Sequence, residues 1–171
     1  MLPERIQLFI WFSPPFKIIS FKTPQVYYWL KAQKGDFAVA EYPLDVNGPN
    51  EMYKFYQTRH QKRIINGTIP GTYPNQVSRS IARLSSQDTA GVLRHLGVKY
   101  ALVHKDDYLR TDLVEDREDL SKIGENRGLK LVGSFPPESC AEDDPRCTGH
   151  ISAVDVYEVI AQPLKPEVKA R

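Results

Sequence analysis

The sequence predicts a single α/β domain: a mixed, mainly parallel sheet with helices on both faces and an antiparallel strand pair at its C-terminal end. A chain of 171 residues has the length of one domain. Short apolar segments at 36–42 and 98–104 alternate with amphipathic helical segments, which is the pattern of α/β units. Two further strand-like segments, 129–135 and 152–160, follow one another without a helix between them, which favours an antiparallel pair.

The two central strands are predicted from their continuous apolar cores. Phe37-Ala38-Val39-Ala40 lies in the first and Tyr100-Ala101-Leu102-Val103 in the second. A run without polar alternation is typical of a strand covered on both faces. We therefore expect the two strands to be parallel neighbours in the middle of the sheet.

The helices are predicted from caps and apolar spacing. Thr23 and Pro24 suit the cap and first position of a helix, and Gly35 suits its end. Further helices are predicted at 51–60, 75–84, 86–96 and 111–126. In the helix at 51–60, Met52, Phe55 and Tyr56 are expected to face inward.

The domain is predicted to span residues 23–161, between an extended N-terminal arm at 1–22 and a polar tail at 162–171. The arm contains the apolar segment Ile6 to Phe12, which is shorter than the roughly 20 residues of a membrane-spanning helix. It also lacks the small-residue cleavage site of a signal peptide. The arm is expected to pair with a sheet edge or to link to an upstream part.

The charge balance disfavours a nucleic-acid-binding protein. The 23 basic residues nearly cancel 21 acidic ones, giving a net charge of +2, whereas such proteins carry a basic patch or stripe. Basic residues are concentrated only in Arg59-His60-Gln61-Lys62-Arg63.

Cys140 and Cys147 share a polar loop. In an oxidising compartment they would form a loop-closing disulfide, and otherwise they would be two free thiols. Both alternatives remain open, and the spacing of the cysteines does not fit a zinc site.

Ligands in open α/β sheets bind beyond the carboxyl ends of the strands. This rule points to Glu41, at the end of the first central strand, and to the segment His104 to Asp107 after the second. Glu41 would hold a sugar hydroxyl or act as a base. Alternatively, it is a structural carboxylate paired with Arg59, Arg63 or a helix N-terminus.

A second candidate surface follows the helix at 51–60. Tyr56, Arg59, His60 and Arg63 fall near one face if the helix continues, and they would bind a phosphate or a sugar acid. The alternative is an exposed basic helix end, favoured by the helix dipole. Such a basic end would also meet anionic lipid headgroups at a membrane.

Asn66 completes the ligand-binding candidates. Asn66-Gly67-Thr68 matches the N-glycosylation pattern, although Asn-Gly is equally typical of a turn. The sequence has no Gly-rich phosphate loop, nucleophile elbow or zinc signature, and Asp106-Asp107 has no third ligand at useful spacing. No catalytic residue, metal or cofactor is therefore predicted.

Several segments in order resemble a known protein type. They are Val26-Tyr27-Tyr28-Trp29-Leu30, Asp36 to Leu44, Tyr53 to Gly67, Leu93 to His104 and Val156-Tyr157-Glu158-Val159. Together they resemble the C-terminal soluble region of polytopic GT-C glycosyltransferases, which use polyprenyl-phosphate sugars, and of related uncharacterised membrane proteins.

The resemblance implies an accessory domain on the extracytoplasmic face of the membrane. Its partners would be the membrane-embedded part of a parent protein and a polyprenyl-phosphate sugar or glycan acceptor. In that family the membrane helices come first and the catalytic acid lies in an early loop, and this sequence matches neither. No catalytic residue therefore carries over.

Three functions remain in competition. The first is the accessory domain, which predicts a cleft near Glu41, His60 and Asn66. The second is a free-standing sugar-acting hydrolase or transferase, which requires a convergent polar pocket with shifted pKa values. The third is a structural or assembly module, which predicts an exposed apolar patch.

Overall fold

The computed structural model describes residues 22–44, 50–67, 69, 71–110, 114–138 and 152–160. Its strands are β1 (Ala38–Tyr42), β2 (Arg63–Ile64), β3 (Val98–His104), β4 (Leu129–Phe135) and β5 (Val154–Val159). Its helices are α1 (Gln25–Ala32), α2 (Asn50–His60), α3 (Tyr73–Ser80), α4 (Gln87–His95), α5 (Lys105–Arg110) and α6 (Val114–Lys122), followed by a 3-10 turn at Ile123–Glu125.

The strands form one sheet in the order β2-β1-β3-β5-β4. Strand β1 pairs in parallel with β2 and β3. Strand β5 pairs antiparallel with both β3 and β4. The predicted mixed α/β sheet with its C-terminal antiparallel pair is therefore confirmed.

Alternate residues of the central strands pack under helices on opposite faces. Val39 and Leu102 belong to a core beneath α1 and α2, which includes Val26 and Leu30. Ala40 and its neighbours in β3 belong to the other core, which α3, α4 and the segments around them cover. Helices therefore cover both faces, which explains the continuous apolar sequence of these strands.

Apart from Lys22, every described residue belongs to one compact unit. The predicted arm (except Lys22), the tail at 162–171 and both cysteines, Cys140 and Cys147, lie outside the described residues. Within the described ranges, no helix combines the length and apolar character needed to cross a membrane.

Helix α2 buries Tyr56 as expected, but the rest of its inward stripe differs from the prediction. Met52 is 39% exposed, whereas Tyr53 is 2% exposed. The buried positions of α2 also include two polar side chains, Asn50 and His60. An inward stripe made of aromatic and polar residues does not stand out in an apolar pattern, so the prediction for Met52 was wrong.

The helix predicted at 111–126 is present over its described residues, as α6 and the 3-10 turn, but α5 before it was not predicted. The structure has α5 directly after β3, then α6 and the 3-10 turn. Asp106 and Asp107 occupy the first turn of α5, where carboxylates favour a helix start. The first helix begins one residue later than expected, because its cap is Pro24 rather than Thr23.

Candidate functional site

Glu41 lies near the C-terminal end of β1 with its side chain completely buried. Side chains alternate along a strand, so Glu41 shares a face with Val39, the face that α1 and α2 cover. A carboxylate in this position loses its hydration and requires polar partners inside the protein.

Three side chains from three different elements surround the Glu41 carboxylate. The Tyr27 hydroxyl of α1 donates to Oε2 at 2.7 Å. Nε2 of His104, the last residue of β3, lies 3.0 Å from the same oxygen. Nε2 of His60, the last residue of α2, lies 3.9 Å from Oε1. These four residues are the Glu41 cluster.

The protonation state of His60 follows from its other nitrogen. The backbone N–H of Lys62 donates to Nδ1 of His60 at 3.0 Å. A neutral imidazole whose Nδ1 is an acceptor carries its proton on Nε2. That N–H faces Glu41 Oε1, and in the described part of the chain neither atom has a hydrogen-bond partner.

Aromatic rings enclose the cluster. Tyr27 stacks on Tyr56 at 4.4 Å between ring centroids and on His60 at 5.7 Å. Tyr53 stacks on His104 at 4.4 Å, and its hydroxyl donates to Asp107 at 2.9 Å. The stacking fixes both imidazole planes relative to Glu41.

The pKa values of the surrounding groups follow from this burial. Burial raises the pKa of Tyr27, and the Glu41 carboxylate raises it further. Burial likewise raises the pKa of Tyr53, with an added effect of Asp107. Burial lowers the pKa of His60, although Glu41 acts in the opposite direction. Tyr27 is therefore a neutral hydrogen-bond donor at physiological pH.

Asn66 holds the backbone of Glu41. Its Oδ1 accepts the Glu41 N–H at 3.0 Å, and its Nδ2 donates to the Glu41 carbonyl at 2.6 Å and to Asn50 Oδ1 at 2.7 Å. The side-chain amide thus replaces a strand neighbour where β2 has ended. Because Asn66 is 7% exposed and both Nδ2 protons are donated, this arrangement disfavours glycosylation of the folded chain. The predicted turn with a positive φ is wrong as well, since neither Asn66 nor Gly67 has one.

Gly67 allows this arrangement by close approach. A Cβ atom at Gly67 would lie 2.4 Å from the backbone carbon and 2.5 Å from the backbone oxygen of Pro74. The Gly67 N–H also donates to Ser78 Oγ at 2.9 Å. Only glycine fits between Asn66 and α3 without a backbone shift.

We expect Gly67→Ala to lower the free energy of unfolding by about 1–3 kcal/mol, as overpacking does elsewhere. Urea denaturation measures the effect. Gly91→Ala is the matched control, since Gly91 is helical and a Cβ there meets nothing within 4 Å. The control should be neutral or stabilising by up to about 1 kcal/mol. Equal effects of the two substitutions would contradict the close-approach explanation.

The structure gathers some predicted ligand-binding residues and separates others. Glu41, Tyr56, His60 and Asn66 meet in or beside the cluster. Arg59 and Arg63 lie on the surface.

The two arginines have other neighbours than Glu41. The Arg59 guanidinium lies 5.8 Å from the Phe55 ring centroid. Nε of Arg63 lies 3.5 Å from Asp36. The predicted pairing of Glu41 with an arginine is therefore wrong, because Tyr27 and His104 occupy that role. Since α2 ends at His60, Arg63 belongs to β2 and not to a helix face.

Sequence reasoning missed Tyr27, Tyr53 and His104 as members of the site. The strand-end rule pointed to the segment that begins with His104 but not to its contact with Glu41. That contact follows from register: Glu41 is opposite Leu102, and His104 is two residues further on the same face. Parallel pairing of β1 and β3, which the sequence predicted, was the available signal.

The cluster is poorly arranged for a metal ion. Among the described residues, no group of three or more His, Cys, Asp and Glu side chains is placed to hold one. Nδ1 of His60 is taken by the Lys62 amide, and the remaining nitrogen carries the proton in the neutral ring.

Comparisons with known proteins give similarity to solved structures alone. No family model matches the chain, and no curated protein matches it. Among solved structures, the chain is similar to the C-terminal globular domain of an oligosaccharyltransferase from Archaeoglobus fulgidus. The two are 10% identical with a TM-score of 0.41, over 79% of this chain and 94% of that chain. A similarity of this size does not transfer an activity from one protein to the other.

Proposed function

We propose that the chain is an accessory, non-catalytic domain of a larger membrane glycosyltransferase-like protein, carried on the extracytoplasmic face of the membrane. The membrane and sugar parts of the proposal depend on the ordered sequence segments that resemble GT-C proteins. One structural observation supports the non-catalytic part: the strand-end carboxylate Glu41 is completely buried and engaged by side chains of the domain itself.

A general base must reach the proton that it removes, directly or through one water. Glu41 Oε2 instead accepts a hydrogen bond from Tyr27 and contacts His104, and Oε1 faces His60. The position where an open α/β sheet offers a ligand site is filled by the protein's own polar groups. A carboxylate engaged in this way favours a structural role for Glu41.

The free-standing enzyme is the competing function with an observation in its favour. The cluster is convergent, and its Tyr27 and His60 have shifted pKa values, as active-site groups often have. Yet Tyr27 and His60 are each 1% exposed and His104 is 5% exposed. These three side chains therefore expose almost no surface to a sugar.

The assembly alternative has a different feature in its favour. Strand β4 is at the edge of the sheet, and Leu131 and Val132 on it are 51% and 38% exposed. Edge strands with apolar side chains favour pairing with another chain. A register irregularity between Leu131 and Gly133 interrupts this edge, which opposes such pairing.

The ligand-binding part of the proposal is assigned to the exposed arginines beside the cluster. Arg59 and Arg63 flank the connection between α2 and β2 and have exposed side chains. Lys62 between them is directed elsewhere, since its Nζ donates to the carbonyls of Gln33 and Gly35. Guanidinium groups suit the phosphate of a lipid-linked sugar or acceptor.

Binding can be tested by titrating the 15N-labelled chain with a polyprenyl phosphate in bicelles and recording amide shifts. We expect perturbations around Arg59 and Arg63 that the double substitution Arg59→Gln/Arg63→Gln reduces. Lys130→Gln is the matched control, because Lys130 lies on β4 at the opposite edge of the sheet. This substitution should leave the amide perturbations around the arginines unchanged. Absence of any perturbation near the arginines would remove the binding part of the proposal.

The accessory part is tested separately by the genomic reading frame upstream of Met1. A run of apolar helices in frame with this chain is expected. A stop codon immediately upstream would contradict the proposal whatever the titration shows.

A further inference from the structure

The His60 ring lies between a backbone N–H donor and a buried carboxylate. Its Nδ1 accepts the Lys62 N–H at 3.0 Å. Its Nε2 lies 3.9 Å from Glu41 Oε1, and both of these atoms are buried without a hydrogen-bond partner among the described residues. At this distance the Nε2–Oε1 contact is too long to be a hydrogen bond.

Adding a proton to the ring changes both contacts at once. In the imidazolium both nitrogens are donors, so an N–H on Nδ1 would face the N–H of Lys62. The Lys62 amide then loses its acceptor. The positive ring is simultaneously attracted to the Glu41 carboxylate, and a shift of about 1 Å brings Nε2 within the usual hydrogen-bond distance.

We propose that His60, Lys62 and Glu41 form an acid-operated switch, in which protonation of His60 releases the Lys62 amide and closes the ring onto Glu41. The switch requires no ligand and is independent of the function proposed above. Its output is a rearranged connection between α2 and β2.

The connection is suited to such a change. Gln61, between His60 and Lys62, has φ of 60°, a conformation that is uncommon for residues other than glycine. Three hydrogen bonds hold this turn: Gln61 N–H to the Gln57 carbonyl, Lys62 N–H to His60 Nδ1, and the Gln57 side-chain amide to the Lys62 carbonyl. Protonation of His60 removes the bond from the Lys62 N–H, so fewer hydrogen bonds hold the turn in this conformation.

Titratable or charged side chains of β1, α1, β3 and the α2–β2 connection surround the His60 ring. Glu41 of β1 is the only carboxylate of the cluster, and Tyr27 of α1 stacks on the ring. His104 of β3 contacts the other oxygen of Glu41. Lys62 places its Nζ on the carbonyls of Gln33 and Gly35.

The pH range of the switch follows from the direction in which burial and the neighbouring charges change the pKa of His60. Burial lowers the pKa of His60, the nearby Lys62 charge lowers it further, and Glu41 opposes both. The transition is therefore expected below the ordinary histidine pKa of about 6.5.

The test is an NMR titration of the full 15N-labelled chain from pH 8 to pH 4.5, following the imidazole nitrogens of His60 and the amide of Lys62. We expect His60 to report an acceptor Nδ1 at pH 8. As His60 titrates, the hydrogen-exchange protection of the Lys62 amide should fall about five- to tenfold, the factor for one ordinary hydrogen bond. The Gln61 amide, which bonds to Gln57, should keep its protection.

His60→Asn is the informative variant, because its Oδ1 keeps an acceptor near the Nδ1 position without a titrating group. Its Lys62 amide should be insensitive to pH, whereas His104→Asn should leave the His60-linked change intact. Three results would overturn the switch: a Lys62 amide unaffected while His60 titrates, the same pH response in His60→Asn, or global unfolding by near-UV circular dichroism before His60 titrates. The wild-type titration decides the question even if a variant does not fold.

Discussion

Replacing Glu41 by alanine is expected to lower the free energy of unfolding by about 2–5 kcal/mol, because it leaves buried polar groups without their partner and a cavity in place of the side chain. The substitution leaves the Tyr27 hydroxyl without its acceptor and His104 without its contact in a fully buried site. Each unsatisfied buried group costs about 1–3 kcal/mol. Urea denaturation at pH 7 measures the effect.

Glu51→Ala is the matched control for this substitution. Glu51 is also a glutamate, but its side chain is 76% exposed and pairs with Lys54 on the surface of α2. Its loss should cost no more than about 1 kcal/mol. A similar small effect at Glu41 would contradict the structural role of the cluster. Loss of a measurable sugar-transfer activity with stability intact would favour the enzyme alternative instead.

The two strands 98–104 and 129–135 were predicted with the bounds that the structure has. Both are apolar or alternating segments that begin just after a glycine, so the local pattern and the tertiary environment favour the same structure. Glu41 was also singled out correctly as a strand-end carboxylate near the centre of the sheet.

The partners of Glu41 could not be predicted from local patterns. Tyr27 fits the apolar face of α1, and its hydroxyl matters only because that face lies over Glu41. His60 stands among basic residues at a helix end, a position that predicts an exposed side chain, yet it is 1% exposed. Pairing of buried polar groups depends on how helices cross the sheet, which a single sequence does not encode locally.

Asp119 shows the same limit on the opposite face of the sheet. It lies in α6, a helix with little apolar periodicity, and was therefore not expected to be buried. Its Oδ2 accepts the Leu84 N–H at 3.1 Å and the Tyr108 hydroxyl at 3.0 Å, and its Oδ1 accepts the Ser85 N–H at 2.8 Å. One carboxylate thus holds the turn before α4 and the ring of Tyr108.

We expect Asp119→Ala to lower the free energy of unfolding by about 3 kcal/mol or more, because two backbone amides and one buried hydroxyl lose their acceptor together. Glu118→Ala is the matched control on the same helix. The Glu118 side chain is 59% exposed and pairs with Lys122 one turn away, a surface contact whose loss should change stability little.

A double-mutant cycle with Tyr108→Phe separates the contribution of the hydroxyl from that of the two amides. Tyr108→Phe removes the hydroxyl that donates to the Asp119 carboxylate. Its effect on the free energy of unfolding should therefore be much smaller in the Asp119→Ala background than in the native chain. Additive effects would mean that the hydroxyl and the carboxylate do not stabilise one another. A cost at Asp119 no larger than that at Glu118 would mean that the turn at Leu84 and Ser85 holds without its acceptor.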